Sequence, residues 1–145
     1  MLKRIYIDNF RCLVNFELEV DSINLFLGLN GSGKSSVFDV LRKIQAWTNG
    51  KGNINNTFSV SDCTQWQTSL IQSFELEIDS NGGRYKYELA LEYEPQSAKF
   101  KIQNERLWFN GQPLLQFEQG EVQLYKDDDS EWSKYPFNSL QSVLS

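Results

Sequence analysis

The feature that most constrains the fold is a glycine-rich segment between an apolar run and an amphipathic one. Residues 28–35 read Gly-Leu-Asn-Gly-Ser-Gly-Lys-Ser, which matches the pattern G-x-x-x-x-G-K-[ST]. The apolar run from Ile23 to Gly28 predicts a buried strand, and apolar residues recur at helical spacing from Lys34 to about Trp47. The predicted order is therefore strand, glycine loop and helix, which is the context that gives this pattern its meaning.

The residues of the loop suit a phosphate group. Gly28, Gly31 and Gly33 let the backbone turn tightly and bring its N–H groups against phosphate oxygens. The helix that begins near Lys34 adds unpaired amides and the positive end of its dipole. Lys34 is expected to reach the β- and γ-phosphates, and the Ser35 hydroxyl is suited to bind Mg²⁺. A chance glycine-rich turn is the alternative, and the flanking patterns argue against it.

Charge argues against nucleic-acid binding by this chain alone. The 145 residues carry a net charge of −5, with 14 Lys and Arg against 19 Asp and Glu. The excess of acid lies in the second half, because residues 1–72 hold seven basic and six acidic side chains and residues 73–145 hold seven and thirteen. No basic stripe is present that could follow a nucleic-acid backbone.

Composition excludes several other classes. The chain has no histidine and two cysteines, so a Ser-His or Cys-His nucleophile is excluded, and neither a zinc site nor a disulfide framework is expected. No apolar run approaches 18 residues and the N-terminus does not resemble a signal peptide. We therefore expect a cytoplasmic protein without a membrane partner.

The remaining sequence divides by pattern. Alternation of apolar and polar residues predicts strands near residues 14–20, 73–79 and 85–93, and further strands near 98–109, 114–117 and 121–126 are expected to continue residues 73–93 as an antiparallel meander. The expected division is residues 1–47 as the core with the glycine loop, 48–72 as a surface excursion, 73–126 as an antiparallel β-subdomain and 127–145 as a connection. Asp127–Asp129 is interpreted as a solvated turn, with a metal site as the alternative.

Two stretches resemble a known family. Asn9-Phe10-Arg11 followed by a short hairpin, and then residues 23–36, closely resemble the opening of the ABC-type ATPases of the RecF/SMC/OLD group. The chain is particularly similar to bacterial RecF-like ATPases of the "AAA family" kind. The resemblance is specific over residues 1–47 and only architectural over residues 73–126.

The resemblance implies ATP and Mg²⁺ as cofactors. In that family Ser36 would contact the α-phosphate, Asn30 would orient the γ-phosphate end, and Ser35 would hold the metal. Arg11 would lie near the phosphates, although an exposed arginine in ordinary salt bridges is an equal alternative. The implied nucleotide-binding residues are Arg11, Asn30, Gly31, Ser32, Gly33, Lys34, Ser35 and Ser36, and no catalytic residue is assigned.

Several family elements are missing. No apolar strand ends in Asp-Glu to hold Mg²⁺ and activate water, and no signature motif opens a helix. Residues 80–84 look superficially like a signature, but the alternating strands on both sides predict a hairpin turn. Gln141 is a weak candidate for the glutamine expected in the connecting loop. The chain is thus expected to be the N-terminal half of an ATPase head.

The expected fold is α/β: a P-loop NTPase core with a mixed sheet and one main helix after the P-loop, beside the antiparallel β-subdomain. The expected function is ATP and Mg²⁺ binding, with hydrolysis only when a C-terminal half and a second head complete the site. Nucleic acid is a possible partner of that assembly. The alternative is a non-catalytic truncated head that acts as an interaction module. A nucleoside kinase or small GTPase is disfavoured because those continue as alternating strands and helices.

Overall fold

A computed structural model describes residues 1–51, 53–126, 130–138 and 140–144. Its strands form one sheet in the order β2-β1-β3-β4-β5-β6-β7-β8, and every neighbouring pair is antiparallel. The strands are β1 (Leu2–Asp8), β2 (Phe16–Glu19), β3 (Ile71–Ser80), β4 (Gly83–Glu94), β5 (Lys99–Phe109), β6 (Gln112–Glu118), β7 (Glu121–Tyr125) and β8 (Glu131–Pro136).

The sheet has one apolar face and one charged face, as the alternating sequence requires. On the apolar face Phe74 of β3 lies opposite Leu89 of β4, and on the charged face Glu77 lies opposite Lys86. Short turns fix this register, among them the one at Asn81 and Gly82 between β3 and β4. The strands near residues 73–126 are therefore confirmed.

The helices cover the apolar face. Helix α1 (Lys34–Thr48) contributes Val37, Val40, Ile44 and Trp47, which are buried in one core with apolar residues of β1, β3, β4, β5, β6 and β7. Burying one such apolar side chain stabilises the fold by about 1.5–3 kcal/mol. The helix predicted from Lys34 to about Trp47 is therefore present, and its buried stripe holds the glycine loop against the sheet.

The predicted α/β fold class is wrong. The described strands form an antiparallel sheet rather than a mixed one, and the run from Ile23 to Gly28 forms no strand. Ile23, Leu25, Leu27 and Leu29 are at least 80% exposed. A strand of a parallel core needs parallel neighbours to bond its backbone, and the strands of this sheet pair antiparallel with one another. Residues 23–28 are mostly apolar as the sequence indicates, but no strand of the described chain pairs with them.

The predicted surface excursion at 48–72 contributes to the core instead. It contains helix α2 (Ile54–Thr57) and a 3₁₀ turn (Val60–Asp62), and Ile54 and Phe58 are buried. β8 was not predicted, and all six of its residues are exposed. The interpretation of Asp127–Asp129 concerns residues outside the described ones.

A buried carboxylate joins the sheet to residues 140–144. Glu105 of β5 is fully buried and accepts hydrogen bonds from the Tyr87 hydroxyl at 2.8 Å, the Ser142 hydroxyl at 2.6 Å and the Val143 amide at 2.9 Å. Burial, together with the neighbouring Glu105 charge, raises the pKa of Tyr87 well above its usual value. These three donors satisfy a carboxyl group that would otherwise be costly to bury.

Among the described residues, no helix combines the length and the apolar character needed to cross a membrane.

Candidate functional site

The glycine loop closes around its own lysine. The Lys34 ammonium donates to the carbonyl oxygens of Gly28 at 2.6 Å and Leu29 at 2.7 Å, and it lies 3.1 Å from the Ser32 hydroxyl. The Ser32 amide also donates to the Leu29 carbonyl at 3.2 Å. Lys34 thereby fixes the curvature of the loop and holds its own positive charge at the start of α1.

Gly33 is required where the loop enters the helix. It caps α1 with a φ of 93°, a left-handed conformation that other residues adopt only with strain. A Cβ at Gly33 would lie 3.0 Å from the Cys12 Sγ and 3.1 Å from the Leu13 Cδ2. The hairpin after β1 thus packs closely on the loop, and a side chain at Gly33 would have to displace Cys12 and Leu13 slightly.

The start of α1 is suited to an anion. No side chain caps the helix, and its first turn carries no acidic residue. Ser35 is exposed, so its hydroxyl is accessible, whereas Ser36 is buried against the core. Asn30 and Gly31 are also exposed, and a Cβ at Gly31 would meet open space. The predicted loop residues from Asn30 to Ser36 are therefore brought together at one helix end.

Arg11 belongs to an ion-pair network. Its guanidinium contacts the Asp39 carboxylate of α1, and its Nη2 lies 3.2 Å from the Asp62 Oδ1. Asp39 also pairs with Arg42, and the Asp62 Oδ2 lies 2.9 Å from the Lys43 Nζ. The arginine of the Asn9-Phe10-Arg11 element thus bridges α1 and the 3₁₀ turn, as the salt-bridge alternative expects.

These pairs shift the ionisation of their members. The hydrogen bond from Arg42, and then that from Arg11, holds the pKa of Asp39 below its ordinary value. Desolvation lowers the pKa of Arg11, but the bonds and charges of Asp39 and Asp62 raise it by more, so the net shift is upward. Arg11 and Asp39 are therefore both charged at neutral pH.

Asn9 holds the hairpin in place. Its fully buried side chain donates to the carbonyls of Ser69 at 2.8 Å and Ile71 at 2.9 Å, and it accepts from the Thr64 amide at 3.0 Å. Its own carbonyl accepts from the Gln72 side chain at 3.0 Å. Asn9 thus ties the end of β1 to the connection before β3, and this positions the hairpin that packs on Gly33.

Some predicted residues lie apart from the loop or gain partners that the sequence does not reveal. Asp39 and Asp62 were not predicted as partners of Arg11, because they lie 28 and 51 residues from it in the sequence and no motif marks them.

The glutamine candidate makes only a local contact. Gln141 is exposed, and its amide donates to the Asn138 carbonyl at 3.2 Å. No cluster of three or more His, Cys, Asp or Glu residues that could hold a metal occurs in the described part of the chain.

A comparison with protein-family models identifies the family, since the model of the AAA ATPase domain matches residues 1–131. The chain belongs to the AAA ATPase domain family. The match includes both the glycine loop and most of the antiparallel sheet, so the two parts of this AAA ATPase domain occur together in the family. No curated protein matches the chain.

Proposed function

We propose that this AAA ATPase domain binds ATP with Mg²⁺ at the loop from Gly28 to Ser35. The observation that carries the proposal is the placement of the Lys34 ammonium and an uncapped helix start behind one glycine loop. When ATP binds, the Lys34 ammonium would give up its three contacts within the loop and contact phosphate oxygens instead. The exposed hydroxyl of Ser35 is suited to hold Mg²⁺, which would neutralise part of the phosphate charge.

The exposure of the loop residues supports the proposal. Gly31 leaves open space where a side chain would stand, and the exposed residues from Asn30 to Ser32 leave the mouth of the helix accessible. Ser36 is buried, so its proposed contact with the α-phosphate requires that its hydroxyl become accessible. Arg11 is engaged by two carboxylates, and its proposed approach to the phosphates requires that it leave at least one of them.

Calorimetric titration with Mg·ATP tests the proposal. Lys34→Ala removes a charge-assisted contact worth about 1.5–3 kcal/mol, so we expect the Kd to rise at least about tenfold. Lys99→Ala is the matched control, because Lys99 is an exposed lysine at the start of β5 and its loss should leave the Kd unchanged. Equal affinities for the wild-type chain and Lys34→Ala, or no binding by either, would refute the proposal.

The finer assignment is also a proposal: the domain is the N-terminal part of a RecF/SMC/OLD-like ABC-type head. It would hydrolyse ATP only with its C-terminal half and a second head, since residues that activate water are absent from the chain as the sequence reads. A phosphate-release assay on the purified chain should give negligible turnover. Robust turnover that disappears in Lys34→Ala would show a complete active site instead.

The exposed apolar segment from Ile23 to Leu29 favours a second candidate function, a non-catalytic interaction module. Four of its side chains are at least 80% exposed, and contiguous exposed apolar residues mark association surfaces. If association is the function, Leu25→Ser with Leu27→Ser should reduce the mass measured by light scattering while nucleotide affinity does not change. A wild-type chain that stays monomeric at high concentration would exclude association between copies.

A further inference from the structure

A basic pocket lies between α1 and α2, on a different part of α1 from the glycine loop. We use the name basic pocket for the depression of about 500 Å³ that is lined by Arg11, Asp39, Arg42, Lys43, Ala46, Lys51, Asn56 and Thr57. Arg42 follows Lys34 by eight residues, which places it about 12 Å along the axis of α1. The pocket therefore lies away from the loop along α1, although Asp39 and Arg42 also line, together with Ser35, a second depression nearer the loop.

The carboxylates of this region do not balance its cations. Asp39 is shared by Arg11 and Arg42, and Asp62 is shared by Arg11 and Lys43. Three cations thus share two carboxylates. Lys51 adds a fourth positive charge, and it makes no ion pair with the described residues. The region carries a local charge of about +2 in a chain whose net charge is −5.

The charged face of the sheet shows the opposite balance. There Arg4 lies within 4 Å of the carboxylates of Glu17, Glu75 and Glu77. Acidic side chains outnumber basic ones on this face of the sheet. The positive charges there are therefore neutralised by neighbouring carboxylates and are not available to an anionic ligand. Screening in physiological salt acts over about 8 Å, so the basic pocket keeps its own field despite the distant acids of the sheet.

The four cations have two different roles. Arg11 and Lys43 are held by the protein, and the Lys43 ammonium also contacts the Thr57 carbonyl and the Asp62 carboxylate. Arg42 is 77% exposed and uses one guanidinium nitrogen on Asp39, so its remaining donors face solvent. Lys51 is exposed as well. Arg42 and Lys51 are therefore the cations that can contact a ligand.

We propose that the basic pocket binds a phosphate group through Arg42 and Lys51, neither of which is assigned to the nucleotide proposed for the loop. A guanidinium fork and an ammonium that line one depression can both donate to the oxygens of a phosphate, and charge-assisted bonds of this kind are the strong ones. The exposed Asn56 side chain on α2 adds a neutral donor at the rim. A small phosphorylated compound and a nucleic-acid backbone present the same chemistry to these residues.

NMR titration of the ¹⁵N-labelled chain with pyrophosphate tests the site. The titration is done in Lys34→Ala, so that binding at the loop is weakened. We expect amide shifts at Arg42, Lys51 and Asn56, and a Kd about tenfold higher when Arg42→Gln and Lys51→Gln are added. Lys99→Gln with Lys126→Gln removes the same charge elsewhere and should leave the Kd unchanged. Circular dichroism confirms that each variant is folded.

A second titration, with a twelve-nucleotide single strand, separates the two phosphate sources. If the source is a polymer, affinity falls with salt, and Arg42→Gln with Lys51→Gln lowers the slope of log K against log salt by about 2. Pyrophosphate binding without oligonucleotide binding assigns the pocket to a small phosphorylated compound. Shifts confined to residues 28–36, no shifts at all, or equal losses in both double variants would overturn the proposal.

Discussion

At the scale of single residues, the loop depends on one glycine and one lysine. Gly33 has a left-handed φ and touches Cys12 and Leu13, so it couples the hairpin to the start of α1. Lys34 closes the loop by bonding the carbonyls of Gly28 and Leu29. Gly33 thus sets the shape of the backbone, and Lys34 supplies the positive charge that would attract a phosphate.

Gly33→Ala should therefore destabilise the protein. The left-handed conformation costs a non-glycine residue about 1–2 kcal/mol, and the contacts of the new Cβ at 3.0 Å and 3.1 Å add to this. Gly31→Ala is the control, since φ is 86° there and a Cβ meets open space. Urea unfolding should show the larger loss of free energy for Gly33→Ala. Equal losses would mean that the packing on Cys12 and Leu13 contributes nothing.

At the scale of elements, the hairpin after β1 is held by Asn9 and by the ion pairs of Arg11. Asn9 bonds two backbone groups of the connection that precedes β3 and the carbonyl of Ile71 where β3 begins, and Arg11 reaches α1 and the 3₁₀ turn. Because Cys12 and Leu13 of the same hairpin touch Gly33, these interactions also fix the position of the glycine loop.

Asn9→Ala should lower the free energy of unfolding by about 2–4 kcal/mol, because three backbone groups lose their hydrogen bond to the buried Asn9 side chain. Asn15→Ala is a matched control. Both asparagines have a left-handed φ, 58° and 47°, but Asn15 is exposed and its side chain accepts one hydrogen bond, from Tyr6. Chemical denaturation that gives the same loss for both variants would contradict the role assigned to Asn9.

The sequence predicts elements better than it predicts their partners. Alternation is a local signal, so β3 to β7 could be located, and the spacing of Val37, Val40 and Ile44 located α1. The run from Ile23 to Gly28 was misread because an apolar run does not reveal whether a neighbouring strand exists. The partners of Arg11 are long-range in sequence, and β8 lacks a buried face that would mark it.

At the scale of the whole molecule, one sheet spans both parts of the chain. β1 of the N-terminal part pairs with β3 of the meander, with Ile5 opposite Leu76 and Ile7 opposite Phe74. The same core includes α1 and the buried residues of the 48–72 segment. The glycine loop is thus attached to the sheet by a helix that shares its core, and it does not stand on a separate unit.

This architecture predicts a single cooperative unfolding transition, as is usual for one domain of this size. In a variant that carries Trp66→Phe, Trp108→Phe and Trp132→Phe, tryptophan fluorescence reports Trp47 in the core, and far-UV circular dichroism reports the sheet. The two urea curves should have the same midpoint. Two separated midpoints would show that the N-terminal part and the meander unfold independently, which would contradict the shared core.

The most direct test of the central claim is the amide spectrum of the ¹⁵N-labelled chain during titration with Mg·ATP. If the glycine loop binds phosphate, the largest shifts should occur from Gly31 to Ser36, and they should be lost in Lys34→Ala. A saturating titration that leaves these amides unmoved would contradict the claim, even if the chain bound ATP elsewhere.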